Sequence, residues 1–144
     1  MHVKIVDVDS ILELRHKVLR HGKPFESCFY EEDRIASTIH LAAINKDTIV
    51  SCATFYSEKN NHITHKNSFR LRGMATEEKY RKKGFGKLLL KTAEKIISEK
   101  GSNNLWCNAR IIAVPFYLSC GYKISGQLFD IQDIGPHYMM YKNI

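Results

Sequence analysis

Residues 68–109 hold four segments whose order leaves few ways to fold. SFRLRGMAT alternates Phe69, Leu71, Gly73 and Ala75 against Ser68, Arg70, Arg72 and Met74, the period-two pattern of a strand with one face on a core. After the basic run RKKGFGK, the residues Phe85, Leu88, Leu89, Thr92, Ala93, Ile96 and Ile97 recur at spacings of three, four and seven, which draws one apolar stripe along a helix. Gly101, one residue after Lys100, ends that helix, with a cation beside its negative pole. NLWCNA then supplies a short apolar strand. A strand, a helix and a strand joined by so long a crossover pair parallel or nearly so.

The flanking segments fit around that unit. HVKIVDV alternates like a first strand, and Asp9 or Ser10 can cap a helix running to about Leu19, with Ile11, Leu14 and Val18 on one face. STIHLAAI and TIVSCATFYS flank the turn NKD as an antiparallel hairpin, and EKNNHITHKN is a polar connector. Pro115 suits the first turn of a short helix reaching about Cys120 and ended by Gly121. YKISGQLF and HYMMYKN supply two last strands. The fold class is α/β with a mixed sheet, and a chain of 144 residues without repeats or Pro/Ser-rich linkers is read as one domain over residues 1–144.

Charge narrows the function classes. Residues 66–100 carry eleven Lys and Arg against four Glu, which accounts for the whole net charge of +7, while the rest of the chain balances. Cations crowded into one loop and one helix suit a compact polyanion better than a nucleic acid, whose binders spread cations along a face and interleave aromatics. No apolar run approaches the roughly 20 residues needed to cross a bilayer, and no basic start leads into an apolar leader segment. A cytoplasmic protein that binds neither membrane nor nucleic acid is the expectation. Cys28, Cys52, Cys107 and Cys120 lie 24, 55 and 13 residues apart without a C-x-x-C pair or a histidine at finger spacing, so no metal site is expected and reduced thiols are.

The mouth of the long helix is unusual. A helix N-terminus carries about half a positive charge and four unpaired amides, and acids or hydroxyls normally sit there. Here Arg81, Lys82, Lys83 and Lys87 surround Gly84 and Gly86. Cations stacked on a positive pole are unfavourable unless an anion completes the site, and glycines let a ligand approach the amides without a Cβ in the way. A phosphate is the expected occupant. G-x-x-x-x-G-K-[ST] does not match, and GFGKLL places leucine where the dinucleotide fingerprint needs its third glycine.

RKKGFGKLLL, following the strand LRGMAT, resembles the R/Q-x-x-G-x-G/A signature of the GNAT superfamily of N-acetyltransferases. WCNARIIAVPFYLSCGY, residues 106–122, is similar to that superfamily's second motif, a strand leading to a short helix with a Phe-Tyr pair and a Gly-aromatic end. The likeness covers residues 68–123 well, the hairpin and first helix loosely, and the C-terminal strands in pattern only. It implies a mostly antiparallel sheet with a central, splayed parallel strand pair, flanked by helices. It further implies acetyl-coenzyme A as co-substrate, with Met74, Ala75 and Thr76 pairing by backbone with the pantetheine arm. The turn of Arg81, Lys82, Lys83, Gly84, Phe85, Gly86 and Lys87 would wrap the pyrophosphate, and Asn108 and Phe116 would line the far side of the slot.

Acetyl transfer to an amine needs a neutral nucleophile, a donor to the carbonyl oxygen and an acid for the departing thiolate. The amide near Met74 suits the second role. Tyr117 matches the position that protonates the thiolate in the superfamily, and a phenol keeps its proton at neutral pH. For the base, His40, His137, Asp33 and Glu32 are candidates, with solvent as the alternative in an open cleft. Arg72 and Arg110 sit beside the motifs and would suit an acceptor bearing a carboxylate. The expected function is direct acetyl transfer to a primary amine of a small molecule or peptide. The competing reading is a coenzyme A binding sensor of the same fold, and a homodimer is compatible with either.

Overall fold

The computed structural model describes residues 2–60 and 67–144. Among them the order is β1 (His2–Ile5), α1 (Leu12–Leu19), β2 (Ile39–Asn45), β3 (Thr48–Ser57), β4 (Ser68–Thr76), α2 (Phe85–Glu99), β5 (Asn104–Arg110), α3 (Val114–Ser119), β6 (Lys123–Ile131) and β7 (Gly135–Asn143). The seven strands form one mixed sheet in the order β1-β2-β3-β4-β5-β7-β6. β4 and β5 run parallel, with Ser68, Phe69 and Arg70 opposite Asn104, Leu105 and Trp106. The β1/β2, β2/β3, β5/β7 and β6/β7 pairs are antiparallel. The α/β architecture with a central parallel pair is the one the crossover demanded. Part of the polar connector, residues 61–66, lies outside the described residues. No described helix is long and apolar enough to cross a membrane.

The chain forms two compact units. The first comprises Met1–Tyr56 and Leu71–Ile96, the second Ser57–Arg70 and Ile97–Ile144. In the first, Ile11, the N-cap of α1, and Leu14 of α1 meet Ala42, Cys52 and Ala75 from three strands in one buried cluster. The hairpin turn between β2 and β3 places Lys46 at φ 48° and Asp47 at φ 64°, the left-handed pair that matches the twist of its strands. Phe85, Leu89, Leu90 and Ala93 turn the apolar stripe of α2 inward; Leu90 lies just off the predicted stripe and is buried as well.

Two expectations shift. β1 stops at Ile5, and Val8–Ser10 forms a 3-10 turn, so α1 starts at Leu12 behind an N-cap, Ile11, that has no capping side chain. Asp9 is drawn instead into an exposed ion pair, 2.9 Å from Arg34. In the second unit Trp106 and Met139 pack together with Tyr141 at their margin. Here the indole Nε1 of Trp106 donates to the Glu58 carbonyl at 2.8 Å, and Arg70 pairs with Glu58 at 3.0 Å while lying 4.9 Å over the indole.

Candidate active site

In the first unit, β4 runs into the basic turn. Leu71, Gly73 and Ala75 are buried and Arg72, Met74 and Thr76 half-buried. Gly73 has φ +67° inside the strand, and a Cβ there would stand 3.0 Å from Arg15 Nε and from Tyr30 Cε2. That position therefore accepts only glycine without displacing both side chains. Thr76 is tied to β3 through a 2.7 Å bond to the Ser51 hydroxyl, and the next amide, of Glu77, donates to the Val50 carbonyl at 2.8 Å.

After a short 3-10 turn, Glu78–Tyr80, the chain enters α2 through two left-handed residues, Lys82 at φ 61° and Gly84 at φ +88°. The Gly84 carbonyl accepts the first helical bond, from Leu88 at 3.0 Å, and the first turn of α2 contains no acidic residue. Among the described residues, the amides of residues 82–87 find no acceptor, and the side chains of Arg81, Lys82, Lys83 and Lys87 form no ion pair. A Cβ on Gly84 would meet nothing within 4 Å, so the space beside this residue is open. Tyr80 gathers the turn: its ring meets Phe85 edge-on at 5.7 Å, while Lys79 and Lys83 lie 5.4 and 5.8 Å from its centroid. Sequence reasoning missed Tyr80, whose signal was its place just before the basic run. The cradle can accept a polyanion on bare amides and cations.

His40 sits deeper in the same unit. It is buried, with Nδ1 2.8 Å from Thr54 Oγ1 and Nε2 2.8 Å from the Asp33 carbonyl. A carbonyl can only accept, so Nε2 carries the proton. Thr54 Oγ1 accepts from Arg15 Nη2 at 2.7 Å and gives its own hydrogen to Nδ1. Both ring nitrogens are thus committed within the chain. Arg15 is completely buried, holds Asp33 in a two-pronged pair at 2.8 and 3.0 Å, and donates to the Cys28 carbonyl at 2.9 Å. Asp33, a sequence candidate for the base, is the counter-ion of this network; Glu32 is half-buried and lends its backbone carbonyl to the Thr38 hydroxyl at 2.6 Å.

In the second unit, Asn108 on β5 and Phe116 on α3 are half-buried, and Tyr117 is buried against Phe116 at 5.2 Å and Tyr122 at 5.6 Å. The Tyr117 hydroxyl and the Cys107 thiol share a hydrogen bond. Burial, aided by Cys107 and Cys120 nearby, pushes the Tyr117 phenol well above its usual range, so it keeps its proton. Burial likewise pushes the Cys107 thiol up to about 12, which removes it as a nucleophile near neutrality. His137 on β7 is buried, stands opposite Arg110 and Phe129 in the sheet, and has Nδ1 2.7 Å from the Gly135 carbonyl. Its neutral tautomer therefore carries the proton on Nδ1 and the lone pair on Nε2. Arg110 is half-buried at the end of β5. Among the described residues, no three His, Cys, Asp or Glu side chains converge as a metal site would require.

The chain is similar to YitI, an uncharacterized N-acetyltransferase of Bacillus subtilis, at 38% identity over 100% of this chain and 97% of the relative. Three of the solved structures that share the fold illustrate the likeness. An aminoglycoside 6'-N-acetyltransferase complexed with coenzyme A superposes with a TM-score of 0.78 at 18% identity, covering 99% of this chain and 97% of the other. The aminoglycoside 6'-N-acetyltransferase of Enterococcus faecium gives 0.76 at 18%, over 99% and 97%. A Bacillus subtilis acetyltransferase in complex with CoA gives 0.71 at 15%, over 99% and 98%. The model of the Acetyltransferase (GNAT) family matches residues 7–122, from the turn before α1 to the end of the Phe-Tyr helix, and the chain belongs to that family.

Proposed function

We propose that the chain transfers the acetyl group of acetyl-coenzyme A directly to a primary amine. The observation that carries this reading is the row of amides at residues 82–87 that, among the described residues, have no acceptor and are flanked by cations that form no ion pair. When bound there, acetyl-coenzyme A supplies a thioester whose carbonyl carbon takes the amine nitrogen. Residues 81–87 hold its diphosphate, the backbone of Met74, Ala75 and Thr76 holds the pantetheine arm, and Asn108 and Phe116 line the slot. The Met74 amide donates to the carbonyl oxygen as negative charge grows on it. As the C–N bond forms and the C–S bond breaks, Tyr117 gives its proton to the departing sulfur.

The proton leaving the amine goes to His137 Nε2 or to water. His40 lacks a nitrogen for that task, because Thr54 and Asp33 hold both. With the Cys107 thiol pushed up to about 12, direct transfer is preferred to a covalent relay. Four free cysteines suit the reducing cytoplasm, where acetyl-coenzyme A is made and used.

The test begins with melting in the presence of acetyl-coenzyme A, coenzyme A and an oligonucleotide, since a ligand at about 100 times its dissociation constant adds roughly 2.7 kcal/mol. Thiol release is then followed against amino acids, polyamines, peptide N-termini and an aminoglycoside, the last because fold neighbours act on that class. Stabilisation by both coenzymes with thiol release on some amine supports the enzyme. Binding without release from any amine favours the sensor.

A further inference from the structure

Tyr30 collects more positive charge than the chain neutralises. The guanidinium carbons of Arg15 and Arg72 both lie 4.1 Å from its ring centroid. Arg20, the C-cap of α1, is close enough to act on the same phenol. One carboxylate, Asp33, faces this group, and Arg15 occupies it with both prongs. Arg20 and Arg72 are half-buried, and among the described residues neither side chain has a hydrogen bond or an ion pair. The contrast with Arg15, Arg34 and Arg70 is plain, because each of those is matched to an acid at 3.0 Å or less. A half-buried guanidinium that meets no acid among the described residues leaves a site incomplete, since partial removal from water strengthens the field between it and an anion.

The location gives the site its meaning. Arg72 and Met74 are half-buried on either side of Gly73, over which Tyr30 closes. Resting on the proposed role of the Met74 amide, we infer that Arg72, stacked on Tyr30, binds a carboxylate of the acceptor, so that the preferred substrate is an amine that also bears a carboxylate. A guanidinium with one face on an aromatic ring keeps its N–H fork in its own plane and free for a two-pronged bond to such a group. The same surplus of cations repels polycationic amines.

The experiment compares glycine, β-alanine, 4-aminobutyrate and lysine with their carboxamides, and with spermidine, as acceptors in the thiol-release assay. The wild type, Arg72→Gln and Arg72→Lys are assayed in parallel, and a melt of each confirms folding. At least one acid should exceed its amide by about tenfold or more in kcat/KM, the size of a lost charged hydrogen bond. Arg72→Gln should collapse that ratio and Arg72→Lys should restore part of it. Acids no better than their amides overturn the inference, as does a ratio untouched by Arg72→Gln. A variant that instead loses coenzyme A affinity overturns it too, because the anion bound would then belong to the cofactor. If no amine releases thiol, the enzymatic reading fails separately and the site is scored by melting: acids that raise the Tm of the wild type but not of Arg72→Gln uphold it, and equal or absent shifts overturn it.

Discussion

Thr54 hands its hydroxyl hydrogen to His40: Oγ1 lies 2.8 Å from Nδ1 and is itself bonded by Arg15 Nη2 at 2.7 Å, so the direction of every donor in the chain is fixed. Removing the hydroxyl strands two buried partners together. Thr54→Val should cost about 1–3 kcal/mol in urea unfolding. Asp33→Ala should cost more, about 3–5 kcal/mol, because it leaves the fully buried Arg15 without its counter-ion. An Asp33→Ala protein as stable as the wild type would mean that the guanidinium reaches water.

Gly84→Val tests the cradle. The residue sits at φ +88° with open space around it, so a branched side chain strains the backbone by about 1–2 kcal/mol and covers the amides rather than clashing with the fold. Coenzyme A affinity measured by calorimetry should drop at least about tenfold, well beyond the change in melting. Intact affinity would separate the turn from the cofactor.

Tyr117→Phe keeps the aromatic contacts at 5.2 and 5.6 Å and deletes the proton. The expected result is a fall in kcat of about 10²-fold, within the range for a general acid, with coenzyme A binding nearly unchanged. Because the phenol lies well above its ordinary range, the wild-type rate should show no alkaline loss from this group below about pH 10. An alkaline limb at pH 8 that vanishes in Tyr117→Phe would contradict this.

Alkaline stability follows from the buried thiols. Cys52 and Cys107 are pushed up to about 12, chiefly by burial, whereas a thiol in the unfolded chain titrates near 9.0. Above pH 9 the unfolded state sheds protons that the folded state keeps, so stability is complete below that pH and declines toward 12, at up to about 1.4 kcal/mol per pH unit per group. The double variant Cys52→Ala, Cys107→Ala should show a shallower decline in chemical unfolding between pH 9 and 11. Parallel slopes would show that these thiols reach solvent.

Most of the scaffold was legible because it is written locally. The period-two alternation of β4, the stripe of α2 and the Gly101 and Gly121 stops each depend on neighbours a few positions apart, and the structure places them where those patterns say. What the sequence concealed depends on distant partners. Arg15 reads as a surface cation on a short helix, and only Asp33, Thr54 and Cys28, 13 to 39 positions away, make its burial tolerable. Asp9 reads as a cap until Arg34, 25 residues on, takes it away and the 3-10 turn delays the helix. The basic mouth was legible from charge and glycine alone, whereas Tyr80's hold on Lys79 and Lys83 was not, since a lone tyrosine in a loop has no period. His40 and His137 looked alike as titrating groups, and only the atoms facing their ring nitrogens tell them apart.

The inward bolt that Arg15 drives into Cys28 and Asp33 has a bearing on how such a chain can change. With the stretch carrying Phe29 and Glu31 fastened from beneath, its exposed side chains carry less of the duty of keeping it in shape, the edge contact of Phe29 with Phe25 apart. Outward positions there can therefore be randomised while the bolt is left alone, an evolutionary freedom that a loosely held loop would not offer.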